Sequence, residues 1–221
     1  MTPGTFERVY LTIKARLRAG EYRPGDRLEP AQLSETLNAS VTPVRDALHR
    51  LTGERLVESP PHEGFRVPLI TESMLRHLYS WHLDLLLLAT ARRQWGLDSV
   101  ERTADSPPPE RASRLDRRNA LFLKLAEAGG NPEHLAALRT LIERMGPYQR
   151  FEDELLDAVK AETEAIAAAI SAGDRSALRK NLVAYHRRRA RLVPELIART
   201  QSDQEPPHEM SPFDPKRTFR S

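Results

Sequence analysis

The chain has 221 residues, enough for two domains of ordinary size, and a net charge of only +3 from 34 basic and 31 acidic side chains. With charge so nearly balanced, any nucleic-acid contact must come from charged side chains placed locally. The absence of cysteine excludes disulfides, thiolate metal sites and thiol nucleophiles. We see no secretory signal, and the most apolar run, 83–91, contains Asp84 and is too short to span a bilayer. The composition predicts a soluble, cytoplasmic protein.

The first 70 residues predict three helices. Apolar residues at helical spacing from Phe6 to Leu17 predict the first, which Gly20 ends. Pro30 begins a short second helix that ends near Asn38, and Ser40 is the predicted N-cap of the third. In that third helix, a periodic apolar stripe is expected to be buried: Val44, Ala47, Leu48 and Leu51.

Short β runs at 56–59 and 65–67 follow and predict a wing-like hairpin. A helix that begins with small hydroxyl residues and offers an arginine one turn later is shaped to enter a DNA major groove. We therefore predict DNA contacts from one face of the third helix and from the hairpin: Ser40, Val41, Thr42, Arg45, His49, His62 and Gly64.

From Thr71 onward the pattern changes to long helices, predicted at 71–95, 108–128, 131–145, 148–172 and 174–197. No strand pattern follows the hairpin. The predicted organisation is therefore mainly α: a winged helix-turn-helix domain at 1–70, a helical effector-binding and dimerisation domain at 71–200, and a disordered, proline-rich tail at 201–221.

The segments 24–28, 33–35, 42–48, 50–51, 56–57 and 64–67 resemble the winged helix-turn-helix of the GntR family of bacterial transcription regulators. Segments 125–132 and 165–174 resemble its FCD, or FadR-like, branch. The resemblance implies binding to double-stranded operator DNA and a small effector in the helical domain. We expect a homodimer, because one recognition helix reads only a few base pairs and inverted half-sites need two-fold symmetry. We expect no membrane partner, because the apolar runs are too short to span a bilayer. One departure concerns the DNA contacts. The family usually has an arginine where this chain has Val41, and valine can only pack on a thymine methyl group.

A second departure concerns the divalent metal that FCD domains hold through an aspartate and three histidines. The corresponding positions are Asn119, Leu123, Thr163 and Tyr185, a poor ligand set, so we expect no metal and no other cofactor. If the alignment with the family is shifted by one residue, Glu164 and His186 become candidate metal ligands. Adjacent helical residues point about 100° apart, however, so the shift would take both helices out of their inward-facing stripes and is disfavoured. An arginine that often holds the effector becomes His82. Together these positions predict an effector pocket for a small uncharged or weakly polar molecule: His82, Asn119, Leu123, Thr163 and Tyr185.

The sequence is compatible with more than one interpretation of these residues and of the function. Thr163 and Tyr185 are also compatible with a closed core, and the basic run Arg187–Arg189 with Arg191 is typical of a solvated helical face. The favoured function is a repressor that dimerises through its helical domain. The alternatives are an activator, a regulator that has lost its effector and answers to a protein, and a helical-bundle enzyme. The last is disfavoured because the inward positions lack convergent titratable groups.

Overall fold

The computed structural model describes residues 4–91 and 113–202. Within them lie nine helices: α1 Thr5–Ala19, α2 Pro30–Thr36, α3 Val41–Gly53, α4 Glu72–Ala91, α5 Arg114–Ala128, α6 Pro132–Gln149, α7 Glu152–Leu155, α8 Val159–Ser171 and α9 Arg175–Ser202. The predicted mainly α fold is confirmed. Of the predicted tail, Gln201 and Ser202 continue α9, and the rest lies outside the described residues, as does the segment 92–112.

The three N-terminal helices surround one hydrophobic cluster formed by residues between Val9 and Val67. Gly20 ends α1 with φ of 73°, and Asn38 follows α2 with φ of 48°, so both predicted left-handed stops are present. The buried residues of α3 are the predicted ones, Val44, Ala47, Leu48 and Leu51. The other face of α3 is therefore turned away from this core.

The wing is smaller than predicted. Of the run 56–59, only Glu58 pairs with the returning segment, through two backbone hydrogen bonds with Arg66 of 2.8 and 2.9 Å. The amides of Leu56 and Val57 instead donate to the carbonyl of Leu51, and the prolines at 60 and 61 have no amide to offer a ladder. Phe65–Val67 pairs on its other side with 26–28, where Leu28 donates to Phe65 and Val67 to Asp26.

The remaining helices surround a second cluster, in which α4 packs against α5, α6 and α9. The predicted single helix over 148–172 is wrong. Helix α6 continues to Gln149, Leu156 is extended with φ of −133°, and α8 begins only at Val159. At the break the side chains of Phe151 and Glu152 turn inward and are buried, whereas Pro147 lies inside α6, which continues past it.

One lysine links the two parts of the chain. Lys14 on α1 places its Nζ 2.8 Å from Glu54 Oε2, at the end of α3, and 2.7 Å from Glu143 Oε2, on α6. Arg150 donates to the carbonyl of Ala19 at 3.4 Å beside this link. None of the helices described here is both long and apolar enough to cross a bilayer.

Candidate nucleic-acid interface and bundle interior

The start of α3 presents four of the predicted DNA contacts together. Ser40 occupies the N-cap position, with φ of −74° and ψ of 162°, but its hydroxyl does not make the predicted hydrogen bond to a helix amide. Val41, with 39% of its surface exposed, Thr42 and Arg45 follow on the solvent side. Arg45 has no hydrogen-bond or ion-pair partner within the described residues. This helix end therefore offers a hydroxyl, an apolar side chain and a cation that the fold itself does not use.

The other predicted contacts lie further along α3 and on the wing. The imidazole of His49 meets the ring of Phe65 edge-on, with centroids 4.9 Å apart, and so connects α3 to the wing. His62 and Gly64 are exposed at the tip and adopt φ of 63° and 76°. Arg66 forms two ion pairs within the wing: its guanidinium lies 3.2 Å from the carboxylate of Glu58 and 3.0 Å from that of Glu63.

In the bundle interior, His82 and Tyr185 are fully buried on either side of Phe122. Ring centroids are 5.1 Å apart for His82 and Phe122 and 5.3 Å apart for Phe122 and Tyr185. Two of the five predicted pocket residues, His82 and Tyr185, thus belong to one aromatic cluster, and Asn119 is buried one turn along α5 from Phe122.

The other two predicted pocket residues, Leu123 and Thr163, are only half-buried. The Thr163 hydroxyl donates to the Val159 carbonyl at 2.8 Å, and Thr163 lines a separate cleft of about 210 Å³ between α5 and α8. The predicted inward position of Thr163 is therefore wrong: the buried side of α8 runs through Glu162 and Ile166 instead.

His82 also contacts a second histidine. His186 Nδ1 lies 2.7 Å from the Leu182 carbonyl, so this nitrogen carries the proton and donates it. His186 Nε2 must then accept from His82 Nδ1, which is 2.7 Å away, and this leaves His82 Nε2 as a bare lone pair. Burial lowers the pKa of His186 to about 4, and burial, His186 and Arg118 together lower the pKa of His82 well below its usual value. Both rings are therefore neutral at pH 7.

The prediction that a one-residue shift of the alignment is disfavoured, which set His186 aside, is partly wrong. His186 was expected to point away because Tyr185 points inward, yet both are buried. Helix α9 is packed against α4 and also against α8, so a wide arc of its surface is covered. Glu164, the other residue of the shifted register, is exposed.

A buried ion cluster lies next to these rings and was not predicted. Glu152 accepts a hydrogen bond from Tyr79 Oη at 2.6 Å and one from Arg189 Nε at 2.9 Å, and Arg118 Nη2 is 3.0 Å from its Oε2. Glu162 pairs with Arg189 and with the half-exposed Arg188. The buried members are two arginines and two glutamates, so their formal charges cancel.

The prediction that the basic run on α9 is solvated holds for Arg187, Arg188 and Arg191 but is wrong for Arg189, which is fully buried. Its guanidinium carbon lies 3.5 Å from the centroid of the Tyr185 ring, a cation–π contact. A signal was present in the sequence: Arg189 follows Leu178, Leu182 and Tyr185 at the spacing of one helical stripe.

The interior residues do not fit the metal of the FCD branch. Among the described residues no three His, Asp or Glu side chains come together as a ligand set. The guanidinium groups of Arg118 and Arg189 lie at the Tyr185 ring, where they would repel a divalent cation. Of the corresponding side chains, leucine offers no donor atom, and Tyr185 is neutral because burial raises the pKa of its hydroxyl to about 12.

Comparison with known proteins assigns the N-terminal domain. Residues 5–67 match the family described as bacterial regulatory proteins, gntR family. The chain is 35% identical over 79 residues to the HTH-type transcriptional regulator McbR of Escherichia coli, a segment that covers 36% of each protein. It is 24% identical over 155 residues to the HTH-type transcriptional repressor GlaR of the same organism, covering 64% of this chain and 70% of that one. The match to McbR thus spans about a third of that relative.

Solved structures resemble the whole arrangement. The structure of E. coli McbR/YncC superposes with a TM-score of 0.63 at 22% identity, covering 88% of this chain and 99% of that one. A putative transcriptional regulator GntR from Rhodococcus sp. RHA1 gives a TM-score of 0.67 at 19% identity, with coverages of 86% and 97%. At such identities the likeness shows the fold: an N-terminal helix-turn-helix domain followed by a helical domain.

Proposed function

We propose that the chain is a cytoplasmic, sequence-specific repressor that binds operator DNA as a homodimer, because residues 5–67 match the gntR family of bacterial regulatory proteins and the aligned relative McbR is a transcriptional regulator. The single observation that carries the proposal is the exposed start of α3, where Arg45 has no partner among the described residues. The relatives and structural neighbours are regulators rather than enzymes. Repression is supported by GlaR, which is named a repressor and matches 64% of this chain.

The chemistry of the α3 face supports major-groove reading. An arginine one turn into a recognition helix can donate two hydrogen bonds to a guanine edge, and Val41 at the first turn can pack on a thymine methyl group. The hydroxyls of Ser40 and Thr42 would donate to backbone phosphates, which is supported by the exposure of both residues and by the absence of a cap hydrogen bond from Ser40. Because one such helix reads only a few base pairs, two copies related by a two-fold axis are needed for an inverted operator.

The helical domain would bind a small neutral effector. Three of the interior atoms that have no hydrogen-bond partner within the described residues belong to predicted pocket residues: His82 Nε2, Asn119 Oδ1 and Tyr185 Oη. The first two accept hydrogen bonds and the third can donate one, so they fit a molecule with a few uncharged polar groups. The neighbouring ion cluster supports neutrality, because its arginines are balanced by Glu152 and Glu162 and leave no excess charge for an anion.

The proposed DNA contact is tested by Arg45→Ala after the operator has been found by selection from random DNA. We expect specific affinity to fall by about 1–3 kcal/mol, roughly 5- to 150-fold, the range for loss of a good base contact. Arg187→Ala is the matched control, since Arg187 is an exposed arginine on α9, outside the DNA-binding domain. Equal losses in both variants, or no loss in Arg45→Ala, would contradict the proposed interface.

A further inference from the structure

Helix α4 carries an exposed apolar stripe beside the face that it buries in the bundle. Met74, Trp81 and Leu88 are 40%, 43% and 51% exposed, although they are among the larger apolar side chains of the chain. They are spaced seven residues apart, and so lie on one side of the helix with a drift of about 20° per interval. Small or polar exposed residues flank the stripe, including Ser73, Ser80 and Ala91, which allow another helix to approach closely.

The stripe is symmetric about its central residue. Met74 and Leu88 lie seven residues before and after Trp81, and the exposed charged or polar residues His77 and Asp84 lie four before and three after it. If a second α4 is laid antiparallel with the two-fold axis at Trp81, Met74 faces the Leu88 position of the copy. His77 then lies one residue, about 1.5 Å along the axis, from the position opposite Asp84 of the copy, close enough for an imidazole N–H to donate to the carboxylate. A parallel pairing would instead set Asp84 against its own copy, which is repulsive.

We infer that a second copy of this chain covers this face, with the two α4 helices packed antiparallel around a two-fold axis at Trp81. The inference rests on the homodimer proposed above and names its interface. It leaves α3 and the wing free, because those elements belong to the other hydrophobic cluster and α4 to the bundle. The self-complementary order of apolar and charged positions is what an isologous contact requires.

The inference is tested by single cysteines, which the cysteine-free chain makes unambiguous. After treatment with a short bismaleimide, Trp81→Cys should give a covalent dimer, because the residue lies beside its own copy. Met74→Cys alone should not, because 14 residues of helix separate it from its copy, about 21 Å at 1.5 Å per residue. The double variant M74C/L88C should cross-link, and Leu11→Cys, an exposed position on α1, should not.

The molar mass of the protein in solution, measured by light scattering together with each cross-linking experiment, distinguishes the possible outcomes. If the protein is a dimer but neither Trp81→Cys nor M74C/L88C cross-links, the α4 interface is overturned while the homodimer itself is still supported. A species of 25.1 kDa under all conditions overturns the homodimer itself. Cross-linking of Met74→Cys alone overturns the antiparallel arrangement. As a second readout, Trp81→Glu should dissociate the dimer while far-ultraviolet circular dichroism stays helical; a stable Trp81→Glu dimer also overturns the inference.

Discussion

Removing the charge of Glu152 should destabilise the helical domain strongly. Its carboxylate is fully buried and joins Tyr79, Arg118 and Arg189, two of which are themselves buried cations. Glu152→Gln keeps the shape and one oxygen acceptor but leaves the two guanidinium groups with only Glu162 and the partly exposed Asp153. Breaking a buried ion pair on one side costs about 3–5 kcal/mol, because the remaining charge stays buried without compensation.

The assay is urea unfolding followed by far-ultraviolet circular dichroism, with a thermal melt beside it. A loss of 3–5 kcal/mol corresponds to a fall in Tm of about 6–20 °C for a protein of this size. Glu154→Gln is the matched control two residues away, since Glu154 forms only an exposed pair with Arg199 at 3.1 Å and should lose at most about 1 kcal/mol.

A double variant tests the reason for the loss. Replacing Arg118 by methionine as well as Glu152 by glutamine removes one of the two buried guanidinium groups that would otherwise lose their carboxylate partner. We expect the double variant to be more stable than the sum of the two single losses predicts, because oppositely charged neighbours are coupled. If Glu152→Gln loses no more than Glu154→Gln, or if the two losses simply add, the account of a coupled buried cluster is refuted.

Three other perturbations have defined outcomes. Val41→Arg should change the preferred operator sequence rather than abolish binding, and selection from random DNA should return a different site; the same site would refute the placement of Val41 at base edges. The pKa of His186 is lowered to about 4, so between pH 6.5 and 4 the unfolded chain binds a proton that the folded chain does not, and stability falls as the pH falls. From pH 7 to 5 this histidine contributes a loss of about 2 kcal/mol, and the difference in stability between the parent and His186→Gln measured by urea unfolding should shrink accordingly. Zinc should not raise the Tm of metal-free protein, and elemental analysis should find no stoichiometric metal; one metal per chain would contradict the ligand argument.

The sequence predicts the DNA-binding domain well because its helices are buried on one side only. In α3, a single apolar stripe identifies both the core residues and, by elimination, the exposed Arg45. The left-handed stops at Gly20 and Asn38 follow from local chemistry, which needs no tertiary contact. The wing is predicted less well because its pairing depends on a competition for the amides of Leu56 and Val57, which the carbonyl of Leu51 wins.

The bundle interior is harder to predict because its helices are covered on more than one side. Helical periodicity predicts that only one of two adjacent residues faces the core, yet both Tyr185 and His186 are buried. The apolar stripe that begins at Leu178 does place Arg189 inward, but a buried cation needs a partner, and that partner is Glu152. This pair joins positions 37 residues apart and across a break in the helices, so no local pattern in the sequence indicates Glu152.

The geometry of the link at Lys14 determines how the contact between the two domains responds to ionic strength. Its ammonium group and its partners Glu54 and Glu143 each have about a fifth to a quarter of their side-chain surface exposed. Salt screens charges that lie farther apart than the Debye length, about 8 Å at physiological concentration, and it screens close, partly buried pairs much less. We therefore expect the DNA-binding domain to stay against the bundle as the salt concentration rises to the physiological range.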